Sequence, residues 1–101
     1  LMTNILLVCS AGMSTSMMVQ KMSEEAKKID YKCHIEACSV SEIDEVSKNA
    51  DVIILGPQVR FQLKKLQAKC DGIPMAVIDQ TDYGMMNGKK VLEMARRMMG
   101  E

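Results

Sequence analysis

The chain has 101 residues, thirteen basic and thirteen acidic side chains, and 48% hydrophobic residues with one Phe, two Tyr and no Trp. That length suits one domain spanning 1–101 with a sizeable core. The neutral total argues against nucleic acid or an anionic membrane surface as the main partner, and no apolar run approaches the ~20 residues of a membrane span.

The first apolar run lacks a basic flank and reads as a strand, not as a signal peptide. The expected setting is therefore the cytoplasm. Leu1 precedes Met2 and reads as foreign to the native start. Cys9, Cys33, Cys38 and Cys70 form no CxxC pair and no zinc-like pattern with His34, the single histidine, so neither a metal nor another cofactor is expected. A disulfide framework does not fit a chain with this much core and no secretion signal. Cys33, Cys38 and Cys70 read as small hydrophobic residues or partly exposed thiols. Most of the eleven methionines fall at helix-face spacing and read as core.

Asn4 to Cys9 is an apolar run without alternation, which fits a strand covered on both faces. Ser14, Thr15 or Ser16 can cap the helix that follows, predicted from Met17 to Ile29. Met18, Met22, Ala26 and Ile29 mark its inner face. Lys32 to Ser39 alternates, as a half-covered strand near an edge does, with His34 pointing away from the reactive edge. Ser39 or Ser41, with Glu42 or Asp44 three residues on, starts a short helix that runs to about Lys48. Asp51 to Gly56 is a second buried strand. Pro57 opens a helix with Val59, Leu63, Leu66 and Cys70 inward, ended by Asp71-Gly72. Ile73 to Asp79 is the last strand, Gln80 to Met86 a loop, and Asn87 the cap of a final helix.

This β-α-β-α-β-α-β-α order predicts an α/β three-layer sandwich with helices on both faces. Its sheet is four-stranded and parallel, in the order 2-1-3-4. Ligand chemistry in such sheets belongs at the carboxyl ends of the strands, at the switch point between the first and third. Cys9, Ser39, Gly56 to Gln58 and Asp79 to Tyr83 fall on that edge.

The chemistry concentrates in Cys9-Ser10-Ala11-Gly12-Met13-Ser14-Thr15-Ser16. A loop of small residues between a strand and a helix start presents backbone N–H groups and the positive end of the helix dipole. Such a loop binds an anion without any basic side chain. A thiol placed there ionises more readily, because the amides stabilise the thiolate. Cys9 is thus the candidate nucleophile and phosphoryl acceptor, with residues 10 to 16 as the phosphate-binding loop. A Cys-x5-Arg phosphatase loop has arginine six residues after the cysteine, where it clamps the phosphoryl oxygens. Here that position is Thr15, so the loop is suited to holding a phosphoryl group and poorly suited to hydrolysing it.

The chain resembles, end to end, the IIB component of the lactose/cellobiose/chitobiose class of bacterial sugar phosphotransferase systems. The resemblance rests on Leu7 to Ser16 and on Ile54-Leu55-Gly56-Pro57-Gln58, with weaker support from Ala76 to Asp79, Tyr83-Gly84 and Asn87-Gly88. It implies a fold like that of low-molecular-weight tyrosine phosphatases. It also implies a phosphocysteine at Cys9, loaded by a phosphohistidine of a IIA component. The phosphoryl group would then pass to a β-linked disaccharide, such as cellobiose, chitobiose or lactose, held by a membrane IIC component. The carrier is expected to be a monomer that meets its partners transiently. Gln58, Arg60 and Tyr83 are candidate partner contacts. Each also reads structurally: Gln58 as a helix start, Arg60 as a solvated helix face and Tyr83 as a packed aromatic with a wet hydroxyl. Asp82 reads as a turn residue. Two other classes share the loop: a small cysteine phosphatase or arsenate-reductase-like enzyme, and a regulatory domain on the same fold.

Overall fold

The structure is a computed structural model that describes residues 2–10 and 13–101. The expectations for Leu1, Ala11 and Gly12, and for the side chains of Met13 and Ser14, lie outside the described residues. The sheet is parallel throughout, with strands in the order β2-β1-β3-β4. β1 is Thr3–Cys9, β2 Cys33–Ser39, β3 Val52–Leu55 and β4 Met75–Val77. The topology is the predicted one.

Side-chain alternation along β1 and β3 sorts the core into two layers. Ile5 and Leu7 of β1 and Val52 and Ile54 of β3 join Met18, Met22 and Ala26 of α1 (Met13–Lys28) and Val91, Leu92 and Ala95 of α5 (Gly88–Met98). Leu6, Val8, Ile53 and Leu55 face the other way. They pack on Ile43 of α2 (Ile43–Val46), on Val59, and on Leu66 of α3 (Leu63–Lys69). Covered on both faces, β1 and β3 have no use for polar residues. That is why their sequences run apolar from Ile5 to Cys9 and from Val52 to Leu55.

Several local readings are corrected. α1 begins at Met13, four residues before the predicted start, so Thr15 and Ser16 lie inside its first turn rather than at the cap. Ile29 is 56% exposed and contributes nothing to the inner face; Asp30 takes a left-handed φ of 54° and Tyr31 packs instead. Cys38 turns to the second layer and is buried there, so the end of β2 is covered on the side predicted to be open. The run 40–49 is helical as expected but mixed, with 3-10 turns at Val40–Glu42 and Ser47–Asn49 flanking α2. It starts at Ser39, whose N–H donates to Glu42 Oε1 at 3.0 Å. Pro57–Gln62 is a 3-10 stretch with a break at Val59 ahead of α3.

β4 is shorter than predicted, although backbone hydrogen bonds extend from Pro74 to Ile78. The segment predicted as a loop contains α4 (Gln80–Gly84), started by Asp79, whose carboxylate accepts from the Asp82 N–H at 3.1 Å. Asn87 caps α5 as predicted, accepting from the Lys90 N–H at 3.1 Å. Gly88 presses on α1: a Cβ there would stand 2.6 Å from the Lys21 carbonyl carbon.

Candidate functional site

β1 lies between two strands, and its last residue is Cys9. Cys9 is in register with Ser39 of β2, while on the other side the Gly56 N–H donates to the Val8 carbonyl at 2.8 Å. Alternation from Ile5 and Leu7 points the Cys9 side chain toward α1. The strand end thus delivers the sulfur to the start of α1, where first-turn N–H groups lack acceptors within the helix. That turn carries no acidic side chain, and Lys27 and Lys28 sit at the far end. The dipole's positive end is therefore left uncompensated next to the cysteine.

Thr15 makes the direct contact. Its Oγ1 donates to Cys9 Sγ at 2.6 Å, and both residues are 2% exposed. The position that carries arginine in a phosphatase loop thus carries a buried hydroxyl turned onto the sulfur. Ser10 and Ser16 are exposed on either side. Ser16 lines a cleft of about 170 Å³ with Ala37, Cys38, Ser39 and Glu42. Glu42 does not point free charge into that cleft. Its carboxyl is held below the ordinary carboxylate range by the Ser39 backbone N–H, and then by the Ser39 hydroxyl.

Gly56 keeps the third strand's end open. A Cβ on it would meet Cys9 Cβ at 3.4 Å and Gln58 Oε1 at 3.0 Å. Gln58, otherwise exposed, therefore lays its side-chain amide back over Gly56 beside the cysteine. Arg60 is exposed, and its Nη1 donates to the Pro57 carbonyl at 3.3 Å, which ties it to its own turn. Tyr83, on α4, is half-buried against the first layer and borders the same small apolar gap as Thr15 and Gly56. Of the proposed contacts, Gln58 and Tyr83 come to the site and Arg60 is folded back.

Two features escaped the sequence reading. The Thr15 contact had a signal, since Thr15 is the only loop hydroxyl at the arginine position, but the helix start was set four residues too late. The sequence placed Gly56 beside Cys9 at the switch point between the first and third strands; what escaped is how little room is left there for a Cβ. His34, at the opposite end of β2, pairs with Glu36 at 3.5 Å, in keeping with a surface role.

Residues 4–94 match the family described as the lactose/cellobiose-specific IIB subunit of phosphotransferase systems. The chain is 42% identical over 100 residues to the oligo-β-mannoside-specific EIIB component of Bacillus subtilis, covering 97% of each. It is 43% identical over 102 residues to the galactose-specific EIIB component of Lactococcus lactis subsp. cremoris, covering 94% of each. The solution structure of the cellobiose-specific phosphotransferase IIB component of Borrelia burgdorferi superposes with a TM-score of 0.82 at 46% identity. That match covers 97% of this chain and 92% of the other.

Proposed function

The chain belongs to the lactose/cellobiose-specific IIB family of sugar phosphotransferase systems, and from that premise we propose that Cys9 is the phosphorylated residue and residues 10 to 16 hold the phosphoryl group. The observation that carries the proposal is the Cys9 sulfur at the end of β1, facing the first turn of α1 with the Thr15 hydroxyl 2.6 Å away. In loading, Cys9 Sγ attacks the phosphorus of a phosphohistidine on a IIA component, in line with the P–N bond. The S–P bond forms, and the P–N electron pair leaves on the imidazole nitrogen. Backbone N–H groups of the loop and the end of the helix dipole carry the charge on the phosphoryl oxygens. In unloading, a hydroxyl of a sugar held by a membrane IIC component attacks the same phosphorus. Its proton goes to a base of that component, and the S–P pair returns to sulfur.

The protein is the carrier between the two and works on the cytoplasmic side. No helix among the described residues is long and apolar enough to cross a membrane. The substrate class we propose is a β-linked disaccharide. The similar proteins carry names for oligo-β-mannoside, galactose and cellobiose at nearly equal identity, so overall similarity does not choose among them. A phosphatase would need a guanidinium over the phosphoryl oxygens. Thr15 stands where that loop has its arginine, and Arg60 is turned onto Pro57.

Intact mass tests the reading. The protein is mixed with phosphoenolpyruvate, the two general phosphotransferase proteins and a IIA component, with the IIA component omitted as control. One phosphoryl group is expected on the wild type only when IIA is present, and none on Cys9→Ser. Hydrolysis of an aryl phosphate by a wild type that gains no mass would replace the carrier with a phosphatase.

A further inference from the structure

We infer that Thr15 is a positioning residue for the sulfur itself: its hydroxyl donates to Cys9 Sγ before loading and receives the sulfur again when the phosphoryl group departs. The inference rests on the phosphocysteine reading above and adds a role for a side chain that the loop's backbone amides do not cover.

The geometry carries it in three ways. First, a threonine hydroxyl in a helix ordinarily turns to water or to a carbonyl of the preceding turn. Here it turns to sulfur, at 2.6 Å, in a pair that is almost wholly buried. Second, the side chain is anchored. Thr15 borders a small apolar gap together with Leu7, Met18, Ile54 and Tyr83. Rotating the donor away from the sulfur would leave the hydroxyl among these apolar neighbours. Third, the charged side chains Glu42, Asp79 and Arg60 on this edge each have a partner of their own. β2 brings Cys38 near the sulfur, and burial, with Glu42 and Glu36 adding, holds that thiol neutral by pushing it up to about 11. Glu42 is engaged by Ser39, Asp79 by the Asp82 N–H, and Arg60 by Pro57. The first turn of α1 carries no acid. The Thr15 hydroxyl is a water-excluded donor placed on the sulfur. Hydrogen bonds to ionised groups are about twice as strong as neutral ones.

Loading converts this sulfur to a thiophosphate ester, whose sulfur is a weaker acceptor, and frees the hydroxyl for a phosphoryl oxygen. Unloading restores the negative sulfur and with it the stronger hydrogen bond. The same donor thus assists sulfur as nucleophile and as leaving group, and neither step needs a proton added at the sulfur.

The test is alkylation of Cys9 by iodoacetamide over a range of roughly pH 5 to 10, read by the mass of its peptide so that the other cysteines do not interfere. Thr15→Val keeps the shape and removes the donor. It is expected to lower the neutral-pH rate about tenfold, to move the curve to higher pH, and to leave the alkaline plateau equal or higher. The last point follows because a thiolate relieved of its hydrogen bond is the stronger nucleophile. Thr15→Ser keeps the donor, loses the methyl anchor, and is expected within about threefold of wild type. A Thr15→Val curve that superimposes on wild type, or falls equally at every pH, overturns the inference. So does a Thr15→Ser curve that follows Val. A wild type that never gains phosphoryl mass defeats the carrier reading by that measurement alone, whereas superimposed alkylation curves defeat only the role of Thr15.

Discussion

Cys9 and Cys38 occupy adjacent strands and take opposite roles because alternation turns them to opposite faces. Cys9 faces the start of α1. Cys38 lies in the second layer with Leu6, Val8 and Ile43, where burial pushes its thiol from 9.0 up to about 11, with Glu42 and Glu36 adding to the shift. A raised thiol stays neutral in the fold after it would have ionised in the unfolded chain. Its contribution to stability is complete below 9.0 and is lost as the pH climbs through about 11. Cys33 and Tyr31 are raised by burial as well and act in the same alkaline range. Replacing Cys38 by Val should therefore flatten part of the alkaline loss of stability, by about 1 kcal/mol after allowing for solvent screening. Urea titrations at neutral and alkaline pH would measure it, and identical alkaline losses in the two proteins would count against the burial account. The sequence set Cys9 apart from Cys38 because context differs: one ends a strand before small residues, the other alternates along an edge.

Among the elements, the long apolar strands and the amphipathic helices were readable, because their periodicity comes from burial on both faces or on one. α4 was not. Gln80 to Gly84 has turn composition, and what makes it helical is a single cap, Asp79 onto Asp82, together with the packing of Tyr83 on the first layer. Tertiary contact overrode local preference there. The start of α1 was missed for a related reason: three hydroxyl residues in a row all resemble caps, and only the sulfur contact reveals that Thr15 is already inside. Gly88 illustrates packing that no pattern announces. It sits at the beginning of α5, where a helix former would otherwise be favoured, because Lys21 backbone lies within 2.8 Å of any added Cβ. Gly88→Ala should force α5 away from α1 and cost roughly 1–3 kcal/mol, despite alanine's better helix propensity. Thermal melting decides between the two effects, and a stabilised variant would mean that the close approach relaxes freely.

At the scale of the molecule, β1 and β3 are the inner pair of the sheet and β2 and β4 its edges. Amide exchange should follow that order. Leu6, Leu7, Ile53 and Ile54 should be protected to the limit of global unfolding, while β4 and α4 should exchange through local opening. Uniform protection across all four strands would show that the sheet opens only as a whole. The topology was legible because parallel crossovers leave few alternatives. Gln58, Arg60 and Tyr83 were all placed near the reactive edge, but which of them turns to the site was not legible, since it depends on how loops land after the sheet is built.

The alternation of β1 has a further consequence. A strand paired one residue out of register would send Cys9 to the layer of Leu6 and Val8, away from Thr15 and the helix start. Under the proposed carrier role, such a molecule would keep its thiol and lose its capacity to be loaded. Phosphorylation would then double as an inspection. In the proposed relay, only chains whose central strand is seated correctly would enter, and misassembled copies would fall silent instead of competing with sound ones for the donor's phosphoryl group.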